Sequence, residues 1–487
     1  MKRSKHSIGG YNLTTGNMGQ LLPIGMIPVL PGDSIGHKTD CLIRFSPLQA
    51  PVMHNVSARI HHFFCANRIL WPEDETTPGW ESFITGGEDG MNTDVIPTLI
   101  HDGVAKGILD HLGVKPIAGA ELNALPVRAV NACFNEYYRD QDLVPKRDLE
   151  DLTTPTIAWG KDYLSTARPW AQKGPQVSIP VGDQAPVENL FYSSEPNPGS
   201  LSVVNTGQSE SPPGTGDGRI AYVDPSNGQP RLYADLSQAT GADPIDVRRA
   251  WGIQRFMENA ARFGSRYPEK MRQLGSTYRG LMDRPLYLGG GSKPVNFSEV
   301  LQTTELPDPT EQRFGVGDMY GHGIAAMRSN KYAHRVQEHG YIISFLSVRP
   351  QGVYQEGVHR EWLKKDREDF HDPYLEEIGQ QEIWAGEAFL DADPAVNAAT
   401  WGFSDRYEEY RTPFNMITGE FRDVLDYWHL GRQYDAESPP VLNQSFIDCV
   451  PSKRIFQEQT MDSMWIMAHH KAVAHRNIIK SATARLL

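Results

Sequence analysis

Strand-forming sequence is concentrated towards the two ends of this chain, and the stretches between are too long and too rich in turn residues to be ordinary loops. His37 to Phe45 alternates after a Pro31-Gly32-Asp33 turn, with Cys41, Ile43 and Phe45 on one face and Asp40, Leu42 and Arg44 on the other. Val56 to Cys65 is rich in β-branched and aromatic residues. Tyr341 to Val348 is a nearly continuous apolar run stopped by Arg349-Pro350, as in a strand buried on both faces or lying mid-sheet. Near the end, Met464, Ile466, Ala468, Ala472 and Ala474 fall at every second position, interrupted only by His470. That period predicts a last strand with one face in the core. Strands this far apart must still pair, so one antiparallel sandwich or jelly roll decorated with long loops is expected.

Helices are fewer. Pro126 precedes Val130, Cys133, Phe134, Tyr137 and Tyr138, whose spacing makes one stripe of a helix near 127–139. The second helix runs from Asp243, a plausible N-cap, through Pro244 at N1 and Asp246 beside the positive end of the dipole. Ile253, Phe256, Met257, Ala260 and Phe263 give its apolar face, and Gly264 stops it. Gly174 to Pro230 is dense in Gly, Pro, Ser and Asn, including Glu195-Pro196-Asn197-Pro198-Gly199 and Ser211-Pro212-Pro213-Gly214. A connection of that length in a compact domain is functional or disordered. Residues 1–173 are therefore read as the first part of the fold and 174–235 as an insertion forming a surface protrusion. Residues 236–487 complete the same fold. No internal repeat argues for a propeller or solenoid.

The net charge of −13 excludes a generic nucleic-acid binder, but the charge is unevenly placed. Lys2, Arg3 and Lys5 open the chain and no acid precedes Asp33; after Asp462 come Lys471, Arg476, Lys480 and Arg485 with no acid. Either the two ends are solvated and frayed, or they face a polyanion. Cys41, Cys65, Cys133 and Cys449 lack Cys-x-x-Cys spacing and sit among apolar neighbours, so buried free thiols in a reducing compartment such as bacterial cytoplasm are expected. No apolar run approaches the ~18–20 residues of a membrane span, and Leu21-Leu22-Pro23-Ile24-Gly25 is broken by Pro and Gly and does not read as a signal peptide.

Chemistry is sparse. There is no nucleophile elbow, zinc-protease motif or phosphate loop. Gly289-Gly290-Gly291-Ser292-Lys293 lacks the required spacing and reads instead as a tight turn. His61 and His62 are adjacent and so point to opposite faces of a strand, which weighs against a shared metal ion; His54, His469, His470 and His475 are read as structural or interface residues. Glu376-Glu377, Glu408-Glu409 and the Asp391/Asp393 pair are read as solvated surface, since glycosidase carboxylates must face each other across a cleft. Trp401, Phe403, Tyr407 and Tyr410 read as a loop packed on a core. No catalytic, cofactor or metal site is assigned.

One segment is more specific. Asn131-Ala132-Cys133-Phe134-Asn135-Glu136-Tyr137-Tyr138-Arg139-Asp140, followed by Leu143, resembles the signature of the major capsid proteins of microviruses, gokushovirus-like tailless phages with circular single-stranded DNA. Asn67-Arg68-Ile69-Leu70-Trp71, Phe83-Ile84-Thr85-Gly86-Gly87 and Pro169-Trp170-Ala171-Gln172-Lys173-Gly174 are similar too. So are Arg284-Pro285-Leu286-Tyr287-Leu288-Gly289-Gly290, Gln302-Thr303-Thr304 and Val348-Arg349-Pro350, all in family order. The resemblance implies an all-β fold with helical insertions, an eight-stranded antiparallel viral jelly roll with very long inter-strand loops. It implies a T=1 shell of sixty copies built through pentamers in the host cytoplasm, and a location in the virion. Asn131, Asn135, Glu136, Tyr138, Arg139, Pro169, Trp170, Arg284, Pro285 and Tyr287 become structural or interface residues. Lys2, Arg3, Lys5, Arg476, Lys480 and Arg485 become candidate DNA contacts, with Tyr11 and Trp465 near them able to stack on bases. A small basic DNA-binding virion protein, a pilot protein and a host receptor are the implied partners, with no membrane. Val181 to Gln229 matches nothing familiar and is where host contact is expected. The tail, Ser481 to Leu487, departs from the Pro-rich tails of relatives. A carbohydrate-binding or carbohydrate-active β-sandwich and a minor phage structural protein are the alternatives.

Overall fold

Alternation of apolar and polar residues builds two antiparallel sheets that face each other. The computed structural model describes residues 3–73, 79–85, 94–174, 187–188, 233–234, 244–263, 283–301 and 319–478. Lys2, Lys480, Arg485, Asp243, Gly264, Gln302-Thr303-Thr304 and nearly all of the 174–235 insertion lie outside them. The first strands are β1 (Ser4–Ser7), β2 (Tyr11–Gly16), β3 (Leu21–Val29), β4 (Ser34–Phe45) and β5 (Val56–Ala66). Much later come β6 (Leu286–Pro294), β7 (Asn296–Leu301), β8 (Met319–Arg328), β9 (Tyr332–Arg335), β10 (Gly340–Pro350) and β11 (Met464–Arg476). The larger sheet runs β1-β11-β4-β8-β7, with β2 also pairing β11 and β9 also pairing β4; the smaller runs β6-β5-β10-β3. The last strand among the described residues, β11, is thus central, between the first strands and β4.

Strand parity decides what each sheet buries. Ile43, Phe45, Ile466 and Ala468 from the larger sheet meet Ile24, Ile60, Leu346 and Val348 from the smaller in one apolar cluster. A neighbouring cluster joins Ile35 and Ala474 to Phe64 and Ile342. The reverse side of the smaller sheet, with Phe63, Cys65, Ile343 and Phe345, is covered by helix α1 (Leu125–Tyr137) through Val130, Cys133 and Phe134. The apolar run in β10 is therefore explained: it lies mid-sheet with core on both faces. Helix α1 starts where Pro126 needs no N–H partner and the Asn123 side chain accepts the Leu125 N–H at 2.9 Å.

One expectation is corrected. Gly289 to Gly291 form no tight turn; they lie in β6, with a bulge between Tyr287 and Gly289. A Cβ on Gly290 would sit 2.2 Å from the Ile60 carbonyl oxygen, so glycine there permits close approach of β5. Leu21 to Gly25, the apolar run that Pro23 and Gly25 interrupt, lies in β3, an edge strand of the smaller sheet, where proline is tolerated.

The chain divides into two compact units, Met1–Ala171 with Gly264–Leu487, and Gln172–Phe263. In the second, helix α2 (Pro244–Phe263) accompanies a short pairing of Val187–Glu188 with Tyr233–Ala234. Ile253 and Phe256, assigned to its apolar face, are exposed. Two long stretches, 67–285 and 351–463, separate strands of the sandwich. In the second, a kernel of Tyr354, Ile383 and Phe446 packs on Tyr163 and Leu164.

Candidate assembly motif and basic terminal strands

The 131–140 segment ends α1 and ties it in three directions. Asn131 donates from Nδ2 to the carbonyls of Leu149 (2.9 Å) and Asp151 (2.8 Å), while its Oδ1 accepts from Arg147 Nε at 2.8 Å. Asn135 exchanges two bonds with the Arg147 backbone, 2.8 and 2.9 Å. Both amides are buried, and each satisfies backbone groups of a segment without strand or helix partners. Arg139 donates to the Val144 carbonyl at 2.9 Å, closing the same loop.

The second direction is towards β6. Glu136 pairs with Arg284 at 3.1 Å, Tyr137 donates its hydroxyl to the buried Pro285 carbonyl at 2.6 Å, and Tyr287 packs 5.4 Å from Phe63 between ring centres. The third is towards β5: Tyr138 lies 2.6 Å from His61 Nδ1. Burial, with Arg59 and Arg349 nearby, pushes that imidazole down to about 4, so it is neutral at physiological pH. Pro169 and Trp170 stay outside this cluster. Their segment is pinned by the reciprocal backbone bonds of Arg168 and Phe403, 2.8 and 2.7 Å.

The histidines separate as parity demands. His61 faces α1; His62 points between the sheets, bonded to Ser344 (2.9 Å) and Ser329 (3.1 Å). Sequence reasoning did not anticipate its neighbours. His37 from β4 lies 4.7 Å from His62 between ring centres, and its Nε2 is 3.2 Å from His470 Nδ1. Tyr332 and Thr39 complete the network at 2.8 and 2.9 Å. A Cβ on Gly25 would strike the His470 ring, so glycine makes its room. Burial pushes His37 down to about 3 and lowers His62 and His470. All three positions carry core-facing parity in their strands, which was the available signal. Among the described residues, no group of three or more His, Cys, Asp or Glu is placed to hold a metal ion.

A second buried polar group was also missed. Arg360 binds Glu387 at 2.9 Å, and Tyr163 donates to the other Glu387 oxygen at 2.5 Å. Burial raises the Glu387 carboxyl while Arg360 opposes it. Glu409 is buried too, accepting from Gln381 at 2.8 Å, so the Glu408-Glu409 pair is not all solvated surface. These carboxylates are enclosed and committed to partners, an arrangement that braces a loop and offers no substrate access. Trp401 packs on Phe446 at 5.0 Å and donates to the Pro440 carbonyl, the loop-on-core packing expected.

The terminal strands bring the two basic ends side by side: Lys5 on β1 is opposite His475 on β11. Arg3 and Lys5 are exposed. Arg476 instead pairs with buried Asp33 at 2.8 Å, anchoring the end of β11.

The family described as Capsid protein (F protein) matches residues 1–484. The capsid protein VP1 of Bdellovibrio phage phiMH2K is 33% identical, over 92% of this chain and 88% of that one. The VP1 proteins of Chlamydia phage 1 and Spiroplasma virus 4 are 29% and 28% identical, over 90% and 89% of this chain and 87% and 85% of theirs.

Proposed function

This chain belongs to the F-protein family of capsid proteins and is a structural coat protein of the virion, not an enzyme; from that premise we propose that sixty copies close a T=1 shell around circular single-stranded DNA. The family match over nearly the whole chain carries this reading, and it sets aside the carbohydrate-active alternative. Strand order supports the finer fold. Two four-stranded sets, β2-β11-β4-β8 and β3-β10-β5-β6, lie in facing sheets, and the chain crosses between them at every step except from β5 to its neighbour β6, the connectivity of an eight-stranded jelly roll. The remaining strands extend its edges.

Subunits of a closed shell meet through heterologous contacts whose rotations close. The 351–463 stretch presents apolar side chains that a lone chain leaves in water, including Trp362 at 82% and Tyr374 at 90% exposure, and neighbouring copies would cover them. Pentamers are the expected intermediates. Assembly in host cytoplasm agrees with four buried free cysteines, and among the described residues no helix is long and apolar enough to cross a membrane. Arg3 and Lys5 are assigned to the genome side, as are Lys2, Lys480 and Arg485 at the chain ends. Arg476 serves there as an anchor for its strand. A small basic virion protein and a pilot protein are the expected companions, and residues 181–229 are assigned to the host receptor.

Charge-detection mass spectrometry of the expressed chain tests the reading. Particles of about sixty times 54.5 kDa, or pentamers that close when partner proteins are added, are expected. A persistent monomer or dimer under all conditions, partners included, overturns it.

A further inference from the structure

The negative charge of this chain is confined to one region. Residues 351–463 hold 23 Asp and Glu against 10 Lys and Arg, which gives −13, the net charge of the whole chain. Everything outside that insertion is balanced. Insertions of neighbouring copies therefore repel each other, and each is attracted to surface where cations stand unpaired. The charge is densest at 366–377, with six acids against Arg367 alone. There Glu368 and Glu377 are exposed, and no cation among the described residues pairs with either carboxylate. Trp362 lies just before this run and Tyr374 within it, both uncovered.

The smaller sheet is the opposite. None of its strands, β3, β5, β6 and β10, holds an acid. On its reverse face, Arg59 of β5 stands opposite Ser347 and Arg349 of β10 opposite Ser57. The two arginines are thus diagonal neighbours about 7–8 Å apart, and Ser292 of β6 flanks Arg59 on its other side. Both are half-buried, and neither has an ion-pair partner among the described residues. Arg349 donates to the Ala158 carbonyl at 3.2 Å, while the buried Nε of Arg59 has no acceptor. Burial and the Arg59 charge hold the Arg349 guanidinium below the usual arginine range, a strain that an incoming carboxylate relieves.

We infer that Arg59 and Arg349 are the acceptor for the 362–377 run of a neighbouring copy, with Glu368 and Glu377 paired to the two guanidinium groups and the Trp362 and Tyr374 rings covered in the same contact. Guanidinium groups suit this partner, because they bind carboxylates bidentately and stack on aromatic faces. The larger sheet is not the acceptor: Lys38 and Lys471 share a face with Lys5, which is assigned to the genome side. The contact joins two different surfaces, as the heterologous interfaces of a closed shell must. The inference rests on the shell reading and names the surface that covers its exposed rings.

Charge reversal, read by charge-detection mass spectrometry of the full chain, tests it. Arg59→Glu with Arg349→Glu, or Glu368→Arg with Glu377→Arg, should each cut the yield of closed particles about tenfold or more. All four changes in one chain should restore most of that yield, because opposite charges again meet across the contact. Either pair assembling at the parent yield overturns the inference, as does a folded combined variant that fails like its halves. Circular dichroism shows which variants fold. If the reversals unfold, Arg349→Lys decides instead. Carbodiimide should then join position 349 of one copy to Glu368 or Glu377 of another, in particles mixed from isotopically light and heavy chains. Links confined to one chain, links only to another virion protein, or no links overturn it. So do Arg59→Gln, Arg349→Gln particles that close normally but hold less DNA, which makes the genome the occupant. If the parent associates but never closes, the shell reading falls, while sedimentation velocity on its smaller oligomers still decides the contact through the same variants. A parent that stays monomeric overturns both.

Discussion

Between the two sheets, Ile24, Ile43, Ile60 and Leu346 meet in a core set by strand parity. In the 351–463 stretch, Tyr354, Ile383 and Phe446 make an apolar kernel too, but Arg360, Glu387 and Glu409 are buried beside it. The sandwich satisfies most of its backbone through ladders and, the histidine network between its sheets apart, needs side chains for volume. The insertions have few ladders, so side chains must satisfy the backbone: Asn131 and Asn135 do so for the loop after α1, and Arg360 does so for the Glu382 carbonyl. The same chain therefore stabilises its scaffold by area and its loops by partners, and substitutions should damage the two regions differently.

The largest loss is expected in the sandwich. Phe64→Ala, at a fully buried position between the sheets, should cost about 3–5 kcal/mol, lowering the denaturant midpoint without a compensating second-site change. Close to it stands Glu387→Ala, which strands Arg360 in the interior at a cost of about 3 kcal/mol or more. Replacing both, Arg360→Met with Glu387→Leu, should recover most of that loss; if the double variant is as unstable as the single, the partner-based account of the insertion fails. Asn131→Ala leaves two carbonyls and Arg147 short of partners, worth about 1–3 kcal/mol. It should speed proteolysis within 139–153 while the sandwich resists. The smallest effect is in pH. The unfolded chain takes up protons on histidine from about pH 6.5 downward, whereas His37 stays neutral to about 3 and His62 and His470 are also lowered. The unfolded state then binds more protons, so stability should fall as pH drops from about 6.5 to 5, above the carboxylate range. His37→Gln should reduce that slope in urea titrations.

The same division decides what could be read from sequence. Expected strands at His37–Phe45 and Val56–Cys65 appear as Ser34–Phe45 and Val56–Ala66, because alternation is a local signal of a buried face. β3 was not legible: Pro23, Gly25 and Pro28 argue locally against a strand, and only its edge position and the His470 ring over Gly25 explain them. The histidine network joins residues 37, 62 and 470, brought together by pairing that local pattern does not disclose. Glu387 and Arg360 likewise read as ordinary charged residues until the loop closes over them. Lys5 was legible as a basic end; the facing of Lys38 and Lys471 was not, since only the register sets them opposite each other.

Electron cryomicroscopy of closed particles tests the central claim most directly, namely that the sandwich is the scaffold and its insertions make the shell. The account predicts Trp362 and Tyr374 buried against neighbouring copies, with the Lys38 and Trp465 face of the larger sheet turned to the interior. Particles in which those two side chains remain in solvent, and copies meet through the edges of the sheets instead, would contradict it.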